Sequence, residues 1–132
     1  MKNHTGLWID HRAAFLVFLG ATKADAEVTE RMESGVEKHV RYAGQSAENG
    51  AAEDQRDRQF ATHLNLYYDR VIGRLSDAQS ILIMGPGEAK GELKKRMVDK
   101  GLGERIVAVD TVDKLTDGQI VAHVRAHYAK AG

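Results

Sequence analysis

The stretch "SILIMGPGEAKGELKKRM", Ser80–Met97, decides the architecture. Ser80–Met84 is almost continuously apolar, as a strand covered on both faces is. Gly85-Pro86-Gly87 turns the chain into a helix, with Pro86 suited to the first helical position. In that helix Ala89, Leu93 and Met97 recur at helical spacing and face inward, and Gly101 ends it. A buried strand feeding directly into an amphipathic helix is half of a parallel-sheet unit. Downstream, Arg105–Asp110 supplies the next strand, in which Ile106, Val107 and Val109 are expected to be buried. A last helix starts at Thr116, with Gln119 three residues on in a capping-box pattern. Its core face is Ile120, Val124 and Tyr128.

Upstream, Glu53 opens a long helix with acidic residues at its favourable end. Phe60, Leu64, Tyr67, Val71 and Leu75 form its buried stripe. Before it, residues 33–52 have no apolar period and carry Gly35, Gly44 and Gly50, which marks a long surface loop. Leu7-Trp8-Ile9 and Ala13–Leu19 flank the turn residues Asp10-His11-Arg12 and so make an antiparallel hairpin. Ala26–Met32 alternates as an edge strand, with Ala26, Val28 and Met32 on its inner side.

Three antiparallel strands followed by two helix–strand units give a mixed five-stranded α/β sheet with helices on both faces. The order 3-2-1-4-5 is that of the three-layer ribonuclease H-like fold. It places the first and fourth strands side by side and parallel, so that Asp10 ends near Gly85. Ligands of open α/β sheets sit at such a reversal.

The 132 residues fit one domain, 1–132. There is no cysteine, which removes disulfides and thiol chemistry and suits a reducing, cytoplasmic setting. Met1–Gly6 is polar and shows no secretory signal. The longest apolar run, Ala13–Leu19, is too short to span a bilayer. A formal net charge of +0 gives no global field for loose nucleic-acid binding, so DNA is not an expected partner and any RNA contact must be local.

Several groups carry chemistry on paper. The backbone N–H groups of Gly85 and Gly87, with Lys90 one turn on, suit an anion or an RNA phosphate; a tight connection needing small residues explains the same glycines. Lys90, Lys94, Lys95, Arg96 and Lys100 crowd one helix, as a phosphate-contacting surface or as a solvated face. A metal-dependent nuclease needs converging carboxylates at the reversal. Asp10 stands in place for one, with Asp113 and Asp117 further off, but Met84-Gly85 offers no partner and turn propensity accounts for Asp10. His123 and His127 lie one helical turn apart without the glutamate of a metalloprotease helix. No metal and no cofactor is expected.

With "LWIDHRAAFLVFL" (Leu7–Leu19), "DRQFATHLNLYYDRVIGRL" (Asp57–Leu75) and Ser80–Met97 in place, nearly the whole chain resembles the middle domain of archaeal and eukaryotic class I peptide-chain release factors and of Pelota-type rescue factors. It is most similar to their stand-alone bacterial relatives, some labelled host-attachment proteins. The resemblance implies a translational-machinery-component-like module that contacts the ribosome or its RNA. In the release factors the loop before the long helix carries Gly-Gly-Gln, whose glutamine positions water against the peptidyl-tRNA ester. Here that loop has Ala43-Gly44-Gln45-Ser46 after Arg41. Gly44 and Gln45 match; Ala43 replaces the first glycine, and a Cβ disfavours positive φ by about 1–2 kcal/mol. The resemblance thus assigns Gln45 and Gly44 to the catalytic tip in a degenerate form; Arg41, Gly85, Gly87, Lys90, Lys94 and Lys95 are the expected RNA or anion contacts. The release factors' codon-reading domains lie outside these motifs, which implies a partner protein or another route to the ribosome. The alternative is a non-enzymatic interaction or small-anion-binding domain that kept only the fold.

Overall fold

The computed structural model describes residues 3–20, 27–35 and 50–131. Strands β1 (Asn3–Ile9), β2 (Ala13–Gly20) and β3 (Glu27–Glu33) precede helix α1 (Gly50–Arg74). Strand β4 (Ala78–Gly85), helix α2 (Ala89–Asp99), a 3₁₀ turn (Gly103–Arg105), strand β5 (Ile106–Thr111) and helix α3 (Asp117–Ala131) complete the order. The sheet runs β3-β2-β1-β4-β5, as the sequence predicts. β1 pairs antiparallel with β2 and parallel with β4, where Leu7 faces Ile83 and Trp8 faces Met84.

Alternation along the strands sorts side chains into two cores. Leu7, Ile9, Leu16, Ile81 and Ile83 point to one face, under Leu64, Tyr67 and Val71 of α1 and Leu93 and Met97 of α2. Trp8, Phe15, Val17, Leu82 and Met84 point to the other, under Ile120 and Val124 of α3. Truncating any one of these aliphatic side chains to alanine costs about 2–5 kcal/mol. α3 comes down on β1 at Gly6, where a Cβ would stand 2.4 Å from Val124 Cγ2. Its capping box forms as expected: Thr116 N donates to Gln119 Oε1 at 2.9 Å and Gln119 N to Thr116 Oγ1 at 3.2 Å. Gly101 closes α2 with φ of 83°.

Four details differ from the sequence expectations. Val28 is 63% exposed and Val107 50%, because β3 and β5 are the sheet's two edges. At Val107 the register slips: Ile81 faces Ile106 but Leu82 faces Ala108, leaving Val107 as the extra residue. α1 begins at Gly50, three residues before Glu53, and β3 continues through Glu33, so the connection is shorter at both ends than 33–52. α2 begins at Ala89, leaving Pro86 in the turn and outside the helix. Finally, β1 extends back to Asn3 although its first residues are polar, because His4 and Thr5 pair with both neighbouring strands.

Candidate functional site

β1 and β4 run parallel and then part, β1 turning into β2 and β4 into α2. The β1–β2 turn is built by Asp10. Its Oδ1 accepts from the backbone N–H of Arg12 and of Ala13, both at 2.8 Å, and its own N–H donates to Ala13 O at 3.0 Å. Turn chemistry therefore occupies one oxygen of the carboxylate. Across the gap, Gly85 lies hard against the Ile9 carbonyl, so that a Cβ there would be 2.2 Å from the oxygen. Between the two turns opens a cleft of about 430 Å³, lined by Asp10, His11, Arg12, Phe60, Pro86, Gly87, Glu88 and Ala89.

A polar node braces the cleft from behind. Glu92 Oε1 accepts from Tyr68 Oη at 2.6 Å and from His11 Nε2 at 3.0 Å, tying α2 to α1 and to the β1–β2 turn. Tyr67 Oη donates to Asp10 O at 3.1 Å. Burial pushes both phenols well above their ordinary pKa, with the Glu92 hydrogen bond adding to the effect at Tyr68 and the Asp10 charge at Tyr67. Both tyrosines are fixed donors. The ring of Phe60 meets that of His11 edge to face, centroids 6.0 Å apart.

The basic helix divides into two sets. Arg96 forks onto Asp69 at 2.6 and 2.9 Å and Lys100 reaches the same carboxylate at 3.3 Å. The Arg96 hydrogen bond foremost, then that of Lys100, holds the Asp69 carboxyl below its usual range. Lys90 Nζ folds back to donate to Gly87 O. Lys94 and Lys95 are exposed on α2, and Lys95 lines a second groove of about 360 Å³ with Asn65, Tyr68 and Arg96. Of the expected contact residues, the structure thus groups Gly85, Gly87 and Lys90 at the turn and Lys94 and Lys95 beyond it.

Arg41, Gly44 and Gln45 lie outside the described residues. Their connection leaves β3 beside the cleft: Ser34 N donates to Arg12 O at 2.8 Å and Ser34 Oγ to His11 O at 2.7 Å. Gly35 follows with φ of 65°, a conformation that favours glycine. The connection rejoins at α1, which runs antiparallel to β1, with Tyr67 opposite Asp10 and Phe60 at His11. The ten helical residues before Phe60 carry α1 about 15 Å past that turn.

Sequence reasoning missed two polar assemblies, because their members are far apart in the chain. One is the His11–Glu92–Tyr68 node. The other sits at the opposite end of the sheet, where His4 and Ser80 are register partners. Ser80 Oγ donates to Tyr128 Oη at 3.2 Å and Tyr128 Oη to Thr5 O at 2.7 Å, so His4 Nδ1, 2.7 Å from Ser80 Oγ, is the donor there. A histidine that donates to a serine does not activate it. The carboxylates weighed for a nuclease are dispersed: Asp117 pairs with Arg31 at 3.6 Å, and the Asp113 carbonyl accepts from Trp8 Nε1 at 3.3 Å. His123 lies 3.9 Å from Asp110, while His127 packs edge-on to Tyr128. Among the described residues no three His, Cys, Asp or Glu side chains are grouped to hold a metal ion, and no helix is long and apolar enough to cross a membrane.

No family model matches the sequence, and no curated protein matches it by sequence. Solved structures match its fold. The Pelota protein of Thermoplasma acidophilum aligns at a TM-score of 0.60 and 17% identity, over 98% of this chain and 34% of that one. Pelota of Archaeoglobus fulgidus aligns at 0.50 and 15%, over 98% and 35%. An archaeal translation termination factor aligns at 0.49 and 12%, over 98% and 41%. The chain spans about a third of the length of the two Pelota proteins. At these identities the likeness is one of fold, and it is the fold that the sequence resemblance predicts.

Proposed function

We propose that the chain is a translation-associated module that contacts the ribosome, through ribosomal RNA or a protein bound there, without acting as an efficient peptidyl-tRNA hydrolase. The observation that carries this reading is the fold shared with Pelota over 98% of the chain. The contact surfaces are Arg41–Ser46 and Gly85–Lys95. Two features of the described residues support this placement. The described residues that flank the segment bearing Gln45 are Ser34, which lies beside the cleft, and Gly50 at the start of α1. Lys94 and Lys95, which no described acidic residue pairs, leave that side of α2 its positive charge. Ala43 in place of glycine weakens the hydrolytic geometry, so contact outlives catalysis.

Equilibrium binding of the labelled chain to purified ribosomal subunits tests the reading. Saturable binding that weakens as salt is raised is expected; no binding at low salt refutes it. In parallel, Gln45→Ala is expected to leave peptidyl-tRNA hydrolysis as low as in the unaltered chain. A clear loss would restore Gln45 to a catalytic role.

Two observations favour a second reading, a protein-interaction domain that keeps only the fold. Gly85 is explained by its packing on Ile9, and Lys90 folds back onto Gly87 O, so the turn itself needs no phosphate. Thermal shift with phosphates and nucleotides, beside the subunit assay, separates the two.

A further inference from the structure

We propose that the cleft between the β1–β2 turn, Phe60 and the Pro86–Glu88 turn binds a guanine base, free or in a single strand of RNA. The proposal deepens the RNA-contact reading by naming the group that is taken up and where.

Its place is the first ground. The cleft lies outside the carboxyl ends of two parallel strands, where the sheet order reverses. A volume of about 430 Å³ falls within the range of small-ligand sites. The walls are the second ground. Phe60 from α1 and Pro86 and Gly87 from the turn after β4 all line it, and nothing lies within 4 Å of where a Gly87 Cβ would be. An aromatic ring, a proline ring and open space in one cleft suit a planar ring.

Charge and hydrogen bonding select among planar rings. The lining holds two carboxylates, Asp10 and Glu88, beside Arg12 and His11, so neither a phosphate nor a cation is favoured by a single-sign field. Asp10 Oδ1 is taken by the turn, but no described residue donates to Oδ2, and the Glu88 carboxylate likewise has no described partner. Among the lining side chains, the groups left without a described partner are acceptors. Guanine presents two adjacent donors, N1–H and the N2 amine, for the free Asp10 oxygen and the Glu88 carboxylate to share. Adenine and cytosine set an acceptor nitrogen beside their amine, which a carboxylate repels; uracil has one N–H between two carbonyls.

Amide ¹H–¹⁵N spectra titrated with guanosine, adenosine, cytidine and uridine test this, followed by single-stranded RNA hexamers with and without one guanosine. Guanosine should shift His11, Phe60 and Gly87 and bind roughly fivefold or more tighter than the other nucleosides. A response to the hexamer but not to the nucleoside assigns the site to RNA; the converse assigns it to free nucleoside. Phe60→Ala should weaken binding roughly fivefold or more. Asp10→Asn keeps the turn's acceptor but replaces the free oxygen by a donor, so the preference for guanosine should vanish. Should Phe60→Ala lose spectral dispersion, Asp10→Asn alone decides. No shifts at the cleft with any probe, or equal binding of all four bases, overturns the proposal. Ribosome binding untouched by Phe60→Ala and Asp10→Asn would sink the cleft's part and leave the proposed function standing. Guanosine binding without ribosome binding would do the reverse.

Discussion

Gly85 and Ile9 meet backbone to backbone: a Cβ on Gly85 would lie 2.2 Å from the Ile9 carbonyl oxygen. This contact closes the parallel seam between β1 and β4 at the end where Trp8 faces Met84. It fixes the distance between the Asp10 turn and the Pro86 turn, and hence the mouth of the cleft. Two glycines two residues apart therefore differ in kind, since Gly87 has open space around it.

Gly85→Ala is expected to destabilise the fold by about 1–3 kcal/mol, because the obstacle is backbone that has no rotamer to change. Gly87→Ala should fall within about 0.5 kcal/mol of the unaltered chain. Urea denaturation midpoints check both. Equal effects at the two positions would contradict the packing account.

Tyr128→Phe removes the hydroxyl that donates to Thr5 O and accepts from Ser80. A loss of about 1 kcal/mol is expected, read as a fall in thermal midpoint of a few degrees. His4→Ala should act through the same chain of bonds, and the double variant should be less than additive.

Asp69 is held below its ordinary pKa, first by the Arg96 hydrogen bond. A depressed folded value means the pair stabilises above the ordinary carboxylate pKa of about 4, and the contribution fades as pH falls through the folded value. Both side chains are about a third exposed, 33% and 32%, and solvent screening keeps the effect under about 1 kcal/mol. Asp69→Asn should thus be slightly less stable at pH 7 and nearly equal to the unaltered chain at pH 2. A gap that persists into acid would point to shape instead of charge.

The fold was legible because local and global signals agree. Ser80–Met84 could only be a doubly covered strand, and Ala89, Leu93 and Met97 could only be one face of a helix; all three of those helix residues are buried. Exposure of single residues within the edge strands was not legible. Val28 and Val107 have the composition of inner positions, and only the pairing partners on one side of β3 and β5 reveal them as exposed. At the site, the meeting of Asp10 with Gly85 followed from strand order alone. The His11–Glu92 contact joins residues 81 apart, and no local pattern encodes it. The pairing of Arg96 and Lys100 with Asp69 was equally hidden, so a run of five cations on α2 and at its C-terminal cap overstated the charge available to a partner.

Charge reversal separates those two sets of cations. Lys94→Glu with Lys95→Glu should leave the thermal midpoint nearly unchanged, since neither side chain has a described partner, while weakening subunit binding roughly tenfold or more at moderate salt. Subunit binding that is unaffected would remove this face of α2 from the contact.

Sedimentation of the tagged chain from a cell lysate through a sucrose gradient tests the central claim most directly. The chain should travel with a ribosomal subunit or the assembled ribosome and return to the top of the gradient when Lys94 and Lys95 are reversed. A chain that stays at the top at every salt concentration would contradict the translational assignment and leave only the shared fold.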